Sequence, residues 1–433
     1  MNNNISKLEN REDIEKMAAE LKKQYEQYQA LSLKIDMQRG RPCSEQSDIS
    51  TEILNWHGST NYITESGIDV RNYGGAIQGT MECRRLFADI LGIKPENVLV
   101  WGNSSLNIMY DCIVKALLVG VYGGSKPWLA QEGKLKFLCP VPGYDRHFGI
   151  TEHFGFEMIN IEMDENGPDM DLIERLVSED DSIKGIWNVP KYSNPGGITY
   201  SDEVVRRFAA LKPKADDFRI FWDDSYCVHD LYDDNQDKLL NILDEAKKYG
   251  NEDLVYIFMS TSKITLAGAG VAVIAASENN IKFLGKQFAV QSISADKVNQ
   301  IRHALFLKDA KNLKEVMRKH ATIIRPKFEE ALAALEEEFA DSGICSWNKP
   351  KGGYFISVDT PDFCATRAVQ LAAEAGILFT GAGATFPYKK DPRDRNIRIA
   401  PTVPTVKEIG DSVRILATCI KIAYLENKLT AID

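Results

Sequence analysis

Short apolar runs alternate with helix-like segments through the middle of the chain, from about residue 96 to residue 274. The runs are rich in β-branched and aromatic side chains, which is typical of buried strands. They cover residues 97–101, 135–141, 183–190, 218–223, 254–260 and 270–276. Amphipathic stretches such as 106–120 and 201–212 separate them. This alternation predicts an α/β fold built on a mostly parallel sheet covered by helices.

The patterns on either side of this region are different. Residues 5–30 predict a long polar helix, and a second long amphipathic helix is predicted from about 309 to 335. The remaining predicted elements are a strand at 352–359, a helix at 365–376, a strand at 396–401 and a terminal helix at 406–427. We therefore expect a large domain at 59–308 and a smaller α+β domain formed by 1–58 together with 309–433.

The composition narrows the function classes. The 433 residues are 44% hydrophobic and 26% charged, so a large core can form, and the formal net charge of −10 argues against general nucleic-acid binding. The eight cysteines form no C-x-x-C pair and no zinc-ligand spacing, so no metal site is predicted. The start of the chain is polar and no apolar stretch is long enough to cross a bilayer. We expect a cytoplasmic protein with no membrane or nucleic-acid partner.

Five of the apolar runs end in chemically distinctive residues. In parallel α/β sheets ligands bind at the carboxyl ends of the strands, so five such endings predict a single cleft. In chain order, the endings are Gly102-Asn103-Ser104-Ser105, the segment 142–147 with Tyr144, the segment 193–197 with Asn194, Asp223-Asp224-Ser225-Tyr226, and Ser260-Thr261-Ser262-Lys263.

The first ending suits a phosphate group. Gly102, Asn103, Ser104 and Ser105 precede a predicted helix, whose free N–H groups and neighbouring hydroxyls favour an anion. Ser260 and Ser262 would add hydroxyls to the same site. The alternative for this segment is an ordinary serine N-cap.

Lys263 and Asp223 carry the most specific chemistry. Lys263 precedes a run of small and apolar residues at 266–276, where desolvation would lower its pKa and favour imine formation with a carbonyl. A surface lysine is the alternative. Asp223 would pair with a protonated ring nitrogen; it could instead cap a helix or ligate a metal, although no histidine or glutamate cluster supports a metal.

The remaining endings supply hydrogen bonds and stacking. Tyr226 and Asn194 can donate to a phenolic oxygen, and Tyr144 can stack on an aromatic ring. Asn194 could otherwise form a turn before Pro195, and Tyr144 could be a packing residue. A ligand with a phosphate, an aldehyde, a phenolate and a pyridinium would use the whole set, which predicts pyridoxal 5′-phosphate (PLP) as the cofactor.

The chain resembles fold-type-I PLP enzymes of the aspartate aminotransferase class along nearly its whole length, and is especially similar to a longer aspartate aminotransferase-like subgroup. The motifs that carry the resemblance are Tyr73-Gly74-Gly75 with Gly79 and Arg84, Asn194-Pro195-x-Gly197, Asp223-x-x-Tyr226, Ser260-x-Ser262-Lys263, Lys351-Gly352-Gly353-Tyr354-Phe355, and Arg398 within 396–400. It implies a large domain with a mostly parallel seven-stranded sheet, and a smaller α+β domain.

The resemblance implies a ping-pong aminotransferase that uses aspartate or glutamate and a 2-oxo acid such as 2-oxoglutarate. Lys263, Tyr226 and Asp223 are then catalytic. Arg398, Asn194, Gly40 and Arg39 bind the substrate, and Tyr73 serves the cofactor of the other subunit of a homodimer. A β-eliminating lyase and an aromatic or broad-range aminotransferase on the same fold stay open as alternatives.

Two departures from the family pattern stand out. Members often have a phosphate-binding arginine several residues after the Schiff-base lysine. Residues 264–271 of this chain contain no arginine. The arginine that would bind a side-chain carboxylate has no evident position. The candidates for that role are Arg39, Arg41, Lys297 and Arg302, each of which could equally be a solvated surface residue.

Overall fold

The computed structural model describes residues 5–55, 62–340 and 342–432. Its helices are α1 Arg11–Ala30, α2 Ser44–Asp48, α3 Met81–Leu91, α4 Ser105–Leu118, α5 Asp145–His153, α6 Met170–Glu179, α7 Asp202–Ala209, α8 Ile242–Lys247, α9 Glu278–Gln291, α10 Lys297–Leu307, α11 Ala310–Phe339, α12 Ala365–Glu374 and α13 Val406–Ile432. Its strands are β1 Ile35–Asp36, β2 Val98–Val100, β3 Lys136–Val141, β4 Glu157–Asp164, β5 Gly167–Pro168, β6 Ile183–Asn188, β7 Arg219–Asp223, β8 Val255–Ser260, β9 Ala272–Ala276, β10 Ser346–Trp347, β11 Ile356–Asp359, β12 Ile377–Leu378 and β13 Asn396–Ile399.

The central sheet confirms the predicted mostly parallel arrangement. Its strand order is β2-β9-β8-β7-β6-β3-β4-β5. The pairs from β4 through β3, β6 and β7 to β8 are parallel, whereas β9 is antiparallel to both of its neighbours. The two-residue strand β5 adds a short antiparallel edge to the seven longer strands. Helices cover both faces of the sheet. Successive strand residues point alternately into two apolar clusters, one on each face.

Strand β4 was not among the apolar runs of the sequence. Only Met158 and Ile161 are buried, in two different apolar clusters, and the other residues are partly or fully exposed because the strand lies near the edge of the sheet. A search for continuous apolar runs finds strands that are buried on both faces, as β6 is along its whole length, and passes over an amphipathic strand.

The helices and strands outside the central-sheet region form a second layer, which packs around α13. This helix contacts α1, α11 and α12, and together with β11 and β13 they form a separate apolar cluster. The sheet beside them has the antiparallel order β10-β11-β13, and β1 pairs with β12 in parallel. These elements agree with the small α+β domain expected from the sequence.

Several predicted helices differ in their bounds; α13, for example, ends at Ile432 and not at residue 427. The segment expected as one helix from residue 5 begins instead with a 3-10 turn at Ile5–Lys7, and α1 starts at Arg11 after Asn10, whose side chain accepts from the Asp13 N–H. The helix expected from 309 to 335 is α11, which is capped by Asp309 and ends four residues later than expected, at Phe339.

The domain limits stay a prediction. The limit at 58/59 lies outside the described residues, and α11 contributes apolar side chains to the clusters of both layers. No helix in the described ranges is long and apolar enough to span a bilayer.

Candidate active site

Strand direction brings the predicted residues to one edge of the central sheet. Strands β2, β3, β6, β7 and β8 all run the same way, because β9 is antiparallel to both β2 and β8. Their carboxyl ends, where the five distinctive segments begin, therefore share that edge. The chain thus forms one cleft from segments that are far apart in the sequence.

The loop between β2 and α4 forms a polar cradle with the end of β8. Ser104 is the N-cap of α4, and Gly102 takes a positive φ of 67°, which an L side chain rarely adopts. The Ser262 hydroxyl donates to the Asn103 carbonyl at 3.1 Å, and Ser260 donates to Ser262 at 3.2 Å. Both predicted serine groups are therefore at the helix N-terminus, as an anion site requires.

The cradle fits a phosphate because its wall lacks a side chain at Gly270. A Cβ there would lie 2.9 Å from the Asn103 carbonyl oxygen and 3.0 Å from Oγ of Ser262, so any larger residue would fill the space. No arginine lies in this loop; the amide of Asn299 instead holds its backbone by donating to the carbonyls of Ala269 and Gly270, each at 3.0 Å.

Lys263 follows β8 in a turn, and two side chains contact its backbone carbonyl. Its carbonyl accepts from the hydroxyl of Tyr354 and lies within hydrogen-bond distance of Nε2 of His229, each at 3.3 Å. Its Nζ lies 5.0 Å from the ring centroid of Tyr226. Burial lowers the pKa of the Lys263 amine, against the opposing influence of the Asp223 carboxylate. A larger fraction of the amine is therefore uncharged and nucleophilic.

Asp223, which the sequence assigns to the ring nitrogen, and its neighbour Asp224 have different environments. Asp223 is 4% exposed and accepts from Ser225 Oγ at 2.5 Å, and its Oδ2 lies 3.0 Å from Nε2 of His147. Oδ1 of Asp224 has no partner in the described part of the chain, and burial raises the pKa of Asp224 to about 7. Asp223 is thus the carboxylate of the two that has hydrogen-bond partners within the site.

Sequence reasoning did not assign His147 and Ser225. His147 follows Tyr144 by three residues, and its ring stacks on Trp187 with centroids 4.6 Å apart. The Oγ atoms of Ser225 and Ser105 are 3.3 Å apart, which joins the carboxylate to the cradle. Their position next to predicted residues was the only available signal.

Tyr144 and Tyr226 supply aromatic surface and a hydroxyl. Tyr144 lies edge-on to His147 with ring centroids 4.9 Å apart. Burial raises the pKa of Tyr226 well above its usual value, so its hydroxyl keeps its proton and can donate a hydrogen bond.

Arg398 reaches the same cleft from β13. Its Nη1 donates to Oδ1 of Asn194 at 3.2 Å, which leaves the Asn194 amide nitrogen as a donor for a ligand. The guanidinium lies 4.9 Å from the ring centroid of Phe355. Gly40 packs directly on that ring, because a Cβ there would lie 2.7 Å from Cε1 of Phe355.

The other predicted residues are less well defined. Tyr73 is 83% exposed, so little of this chain packs around its side chain. Arg39 and Arg41 are exposed, Lys297 donates to Ser294 Oγ at 2.8 Å, and Arg302 donates to Asn299. None of these contacts assigns a residue to a side-chain carboxylate.

Comparison with known proteins gives a consistent result. The aspartate amino-transferase family profile matches residues 10–431. The aspartate aminotransferase of Corynebacterium glutamicum is 43% identical over 408 residues, which are 94% of each chain. A crystal structure of an aspartate transaminase from Corynebacterium glutamicum matches 97% of this chain and 98% of its own, with a TM-score of 0.94 and 42% identity.

A more distant structure shares the fold. It is the α-aminoadipate aminotransferase of Thermus thermophilus in complex with N-(5′-phosphopyridoxyl)-L-leucine. It matches 92% of this chain and 93% of its own with a TM-score of 0.69, and at 19% identity the likeness concerns the fold alone.

Proposed function

Because this chain belongs to the aspartate aminotransferase family, we propose that it is a PLP-dependent aminotransferase. It moves the amino group of an α-amino acid, aspartate or glutamate, to a 2-oxo acid such as 2-oxoglutarate. The observation that carries the proposal is the shared cleft, where a desolvated lysine, a buried carboxylate and a buried arginine converge. The name of the relative from Corynebacterium glutamicum supports aspartate as the donor.

The described residues fit the cofactor group by group. The hydroxyls of Ser104, Ser260 and Ser262 and the start of α4 would hold the phosphate, and Gly270 leaves room for it. Asp223 would face the ring nitrogen, while Tyr226 and Asn194 would donate to the phenolic oxygen. Bound PLP would supply an aldehyde and a protonated ring that withdraws electrons from the substrate's α-carbon.

Lys263 would then have two tasks. Its amine would hold the cofactor aldehyde covalently, with loss of water, and when displaced by the substrate amine it would move a proton from the substrate's α-carbon to the former aldehyde carbon. A lowered pKa suits both tasks, because each requires the uncharged Nζ. The contacts of its carbonyl with Tyr354 and His229 fix the turn from which the amine extends.

Arg398 would bind the substrate α-carboxylate through two parallel N–H donors, a geometry that lysine cannot reproduce. Asn194 contacts the guanidinium and so places it beside the ring site. The backbone at Gly40 lies close to the same arginine because both pack on Phe355. Arg39, the next residue, is proposed to contribute charge from the same loop.

We further propose a homodimer in which Tyr73 reaches the cofactor of the partner subunit. Its 83% exposure in one protomer supports this, as does the exposure of Val290 and Ile293, which are 90% and 59% exposed. Apolar side chains this accessible are typical of surface that is covered by another chain. The cytoplasmic location stays a prediction.

The test is a cofactor-labelling experiment combined with a donor panel. The protein incubated with PLP should show a visible absorption band, and borohydride should fix one cofactor to Lys263, detected as a mass increase on its peptide. Lys263→Ala should abolish both signals, and Lys286→Ala, at an exposed lysine, should keep them.

Amino donors are then offered with 2-oxoglutarate. Formation of glutamate and the matching 2-oxo acid supports transamination, whereas release of pyruvate and ammonia would identify a lyase. A wild-type protein that never gains colour with PLP would refute the proposal.

A further inference from the structure

Arg398 already has a carboxylate partner in this structure. Its Nη1 donates to Oδ1 of Asp145 at 2.9 Å, in addition to Asn194. The side chain of Arg398 is 6% exposed and that of Asp145 is 31% exposed, so Asp145 forms the solvent side of the ion pair. Asp145 is the first residue of α5 in the large-sheet layer, whereas Arg398 lies in β13 of the smaller sheet. The ion pair therefore joins the two layers across the cleft.

The rest of the guanidinium is held independently of Asp145. Nη2 donates to Oγ1 of Thr380 at 3.0 Å and to the carbonyl of Gln38 at 3.5 Å. Phe355 lies against the guanidinium plane, and Asn194 accepts from Nη1. These four contacts fix the orientation of the arginine, so Asp145 is not needed to position it.

The remaining donor cannot replace Nη1. Nε of Arg398 is buried and has no hydrogen-bond partner in the described residues. A ligand that enters from solvent must approach the Nη1 and Nη2 edge, where Asp145 already sits. A carboxylate that binds this edge with two hydrogen bonds has to take over the donor that Asp145 uses.

We propose that Asp145 is an internal competitor for the carboxylate of the substrate, and thereby sets the affinity of the enzyme for every amino acid and oxo acid. This inference rests on the proposed role of Arg398 in binding that carboxylate. Without ligand, Asp145 neutralises a buried guanidinium. When a ligand carboxylate arrives, Asp145 must give up its hydrogen bond, and its negative charge then lies beside that of the ligand.

Removal of this one charge should favour binding through its effects on both the free enzyme and the complex. The free enzyme loses the counter-ion of a buried cation, which raises its free energy. The complex loses repulsion between two neighbouring anions. Both changes favour binding, so Asp145→Asn, which keeps the size and an acceptor oxygen, should bind carboxylates about 3- to 30-fold more tightly.

The experiment measures binding of maleate, a dicarboxylate with no amino group to react, to the PLP-loaded enzyme by calorimetry. Asp145→Asn should lower the dissociation constant, and Asp145→Glu, which keeps the charge, should stay near wild type. Asp202→Asn is the matched control: it removes the same charge from an exposed ion pair with Arg206 and should change nothing. In turnover with amino acids, Asp145→Asn should lower KM without raising kcat.

The outcomes separate this inference from the proposed function. Unchanged or weaker maleate binding in Asp145→Asn, with binding still lost in Arg398→Ala, overturns the competitor role and leaves the substrate site intact. If Arg398→Ala instead bound maleate as tightly as wild type, Arg398 would have no role in binding the substrate. Near-ultraviolet circular dichroism of each variant checks its folding, and Asp145→Ser gives a second uncharged variant if asparagine disturbs the start of α5.

Discussion

The Nε2 atom of His147 lies 3.0 Å from Oδ2 of Asp223, and both side chains are almost fully buried. Stacking on Trp187 holds the imidazole in this place. A buried carboxylate is stable only with donors around it, and here His147 and the Ser225 hydroxyl provide them. The pair therefore fixes the position of the Asp223 carboxylate that is proposed to face the ring nitrogen.

We expect His147→Phe to keep the stacking on Trp187 and remove the donor. Asp223 would lose one of two partners, which should reduce the free energy of unfolding by about 1–3 kcal/mol and weaken PLP binding. Urea unfolding and a fluorescence titration with PLP measure the two effects. His153→Phe, at an exposed position of the same helix, is the control; equal behaviour of the two variants would refute this role.

Gly270→Ala should narrow the phosphate cradle. The new Cβ would meet Asn103 and Ser262 at 2.9–3.0 Å, an overpacking expected to weaken PLP binding by roughly tenfold or more. Gly268→Ala is the matched control, because a Cβ there meets nothing within 4 Å. Titration with PLP and with pyridoxal, which lacks the phosphate, should show a loss confined to PLP. An equal loss for both ligands would argue against phosphate at this loop.

Gly40→Ala should disturb the substrate site without changing the cofactor. Its Cβ would press on the ring of Phe355, which is 4% exposed and cannot move freely, and that ring supports Arg398. We expect KM for amino acids to rise by about tenfold while the absorption of bound PLP is unchanged. Gly381→Ala, with no atom near the new Cβ, should behave like wild type. An unchanged KM in Gly40→Ala would contradict the prediction.

The stability of the protein should fall as the pH is lowered below about 6.5. Burial lowers the pKa of His229 to about 3 and that of His320 to about 4, whereas both are near 6.5 in the unfolded chain. Between these values the unfolded chain binds protons that the folded chain excludes. Each histidine should therefore decrease the free energy of unfolding by up to about 1.4 kcal/mol per pH unit.

Urea unfolding at pH 7 and pH 5 checks this pH dependence in wild type, His229→Gln and His320→Gln. Each substitution should make the difference between the two pH values smaller. Gln46 contacts Nδ1 of His320 at 2.9 Å, so a glutamine at 320 retains hydrogen-bonding capacity there. An identical pH dependence in all three proteins would exclude these histidines as its source.

Much of the candidate site followed from local sequence. The run ending at Asp223 and the turn at Lys263 could be recognised because strand-forming patterns and reactive residues were adjacent in the chain. Strand β4 was missed because it is only partly buried, and this follows from its position near the edge of the sheet, which depends on its neighbours. The sequence assigned the ring-nitrogen role to Asp223, but the hydrogen bonds that distinguish its surroundings from those of Asp224 depend on the tertiary structure.

By itself the sequence determined the α/β class, the strands that end at the cleft and the set of chemical groups there, because periodicity and residue type are local properties. Only the tertiary structure decided how those groups are paired. His147 is 76 residues from Asp223 and Asp145 is 253 residues from Arg398, and such partners meet only when the strands and the two layers have packed. Burial then sets the charge of each group, which no local pattern contains.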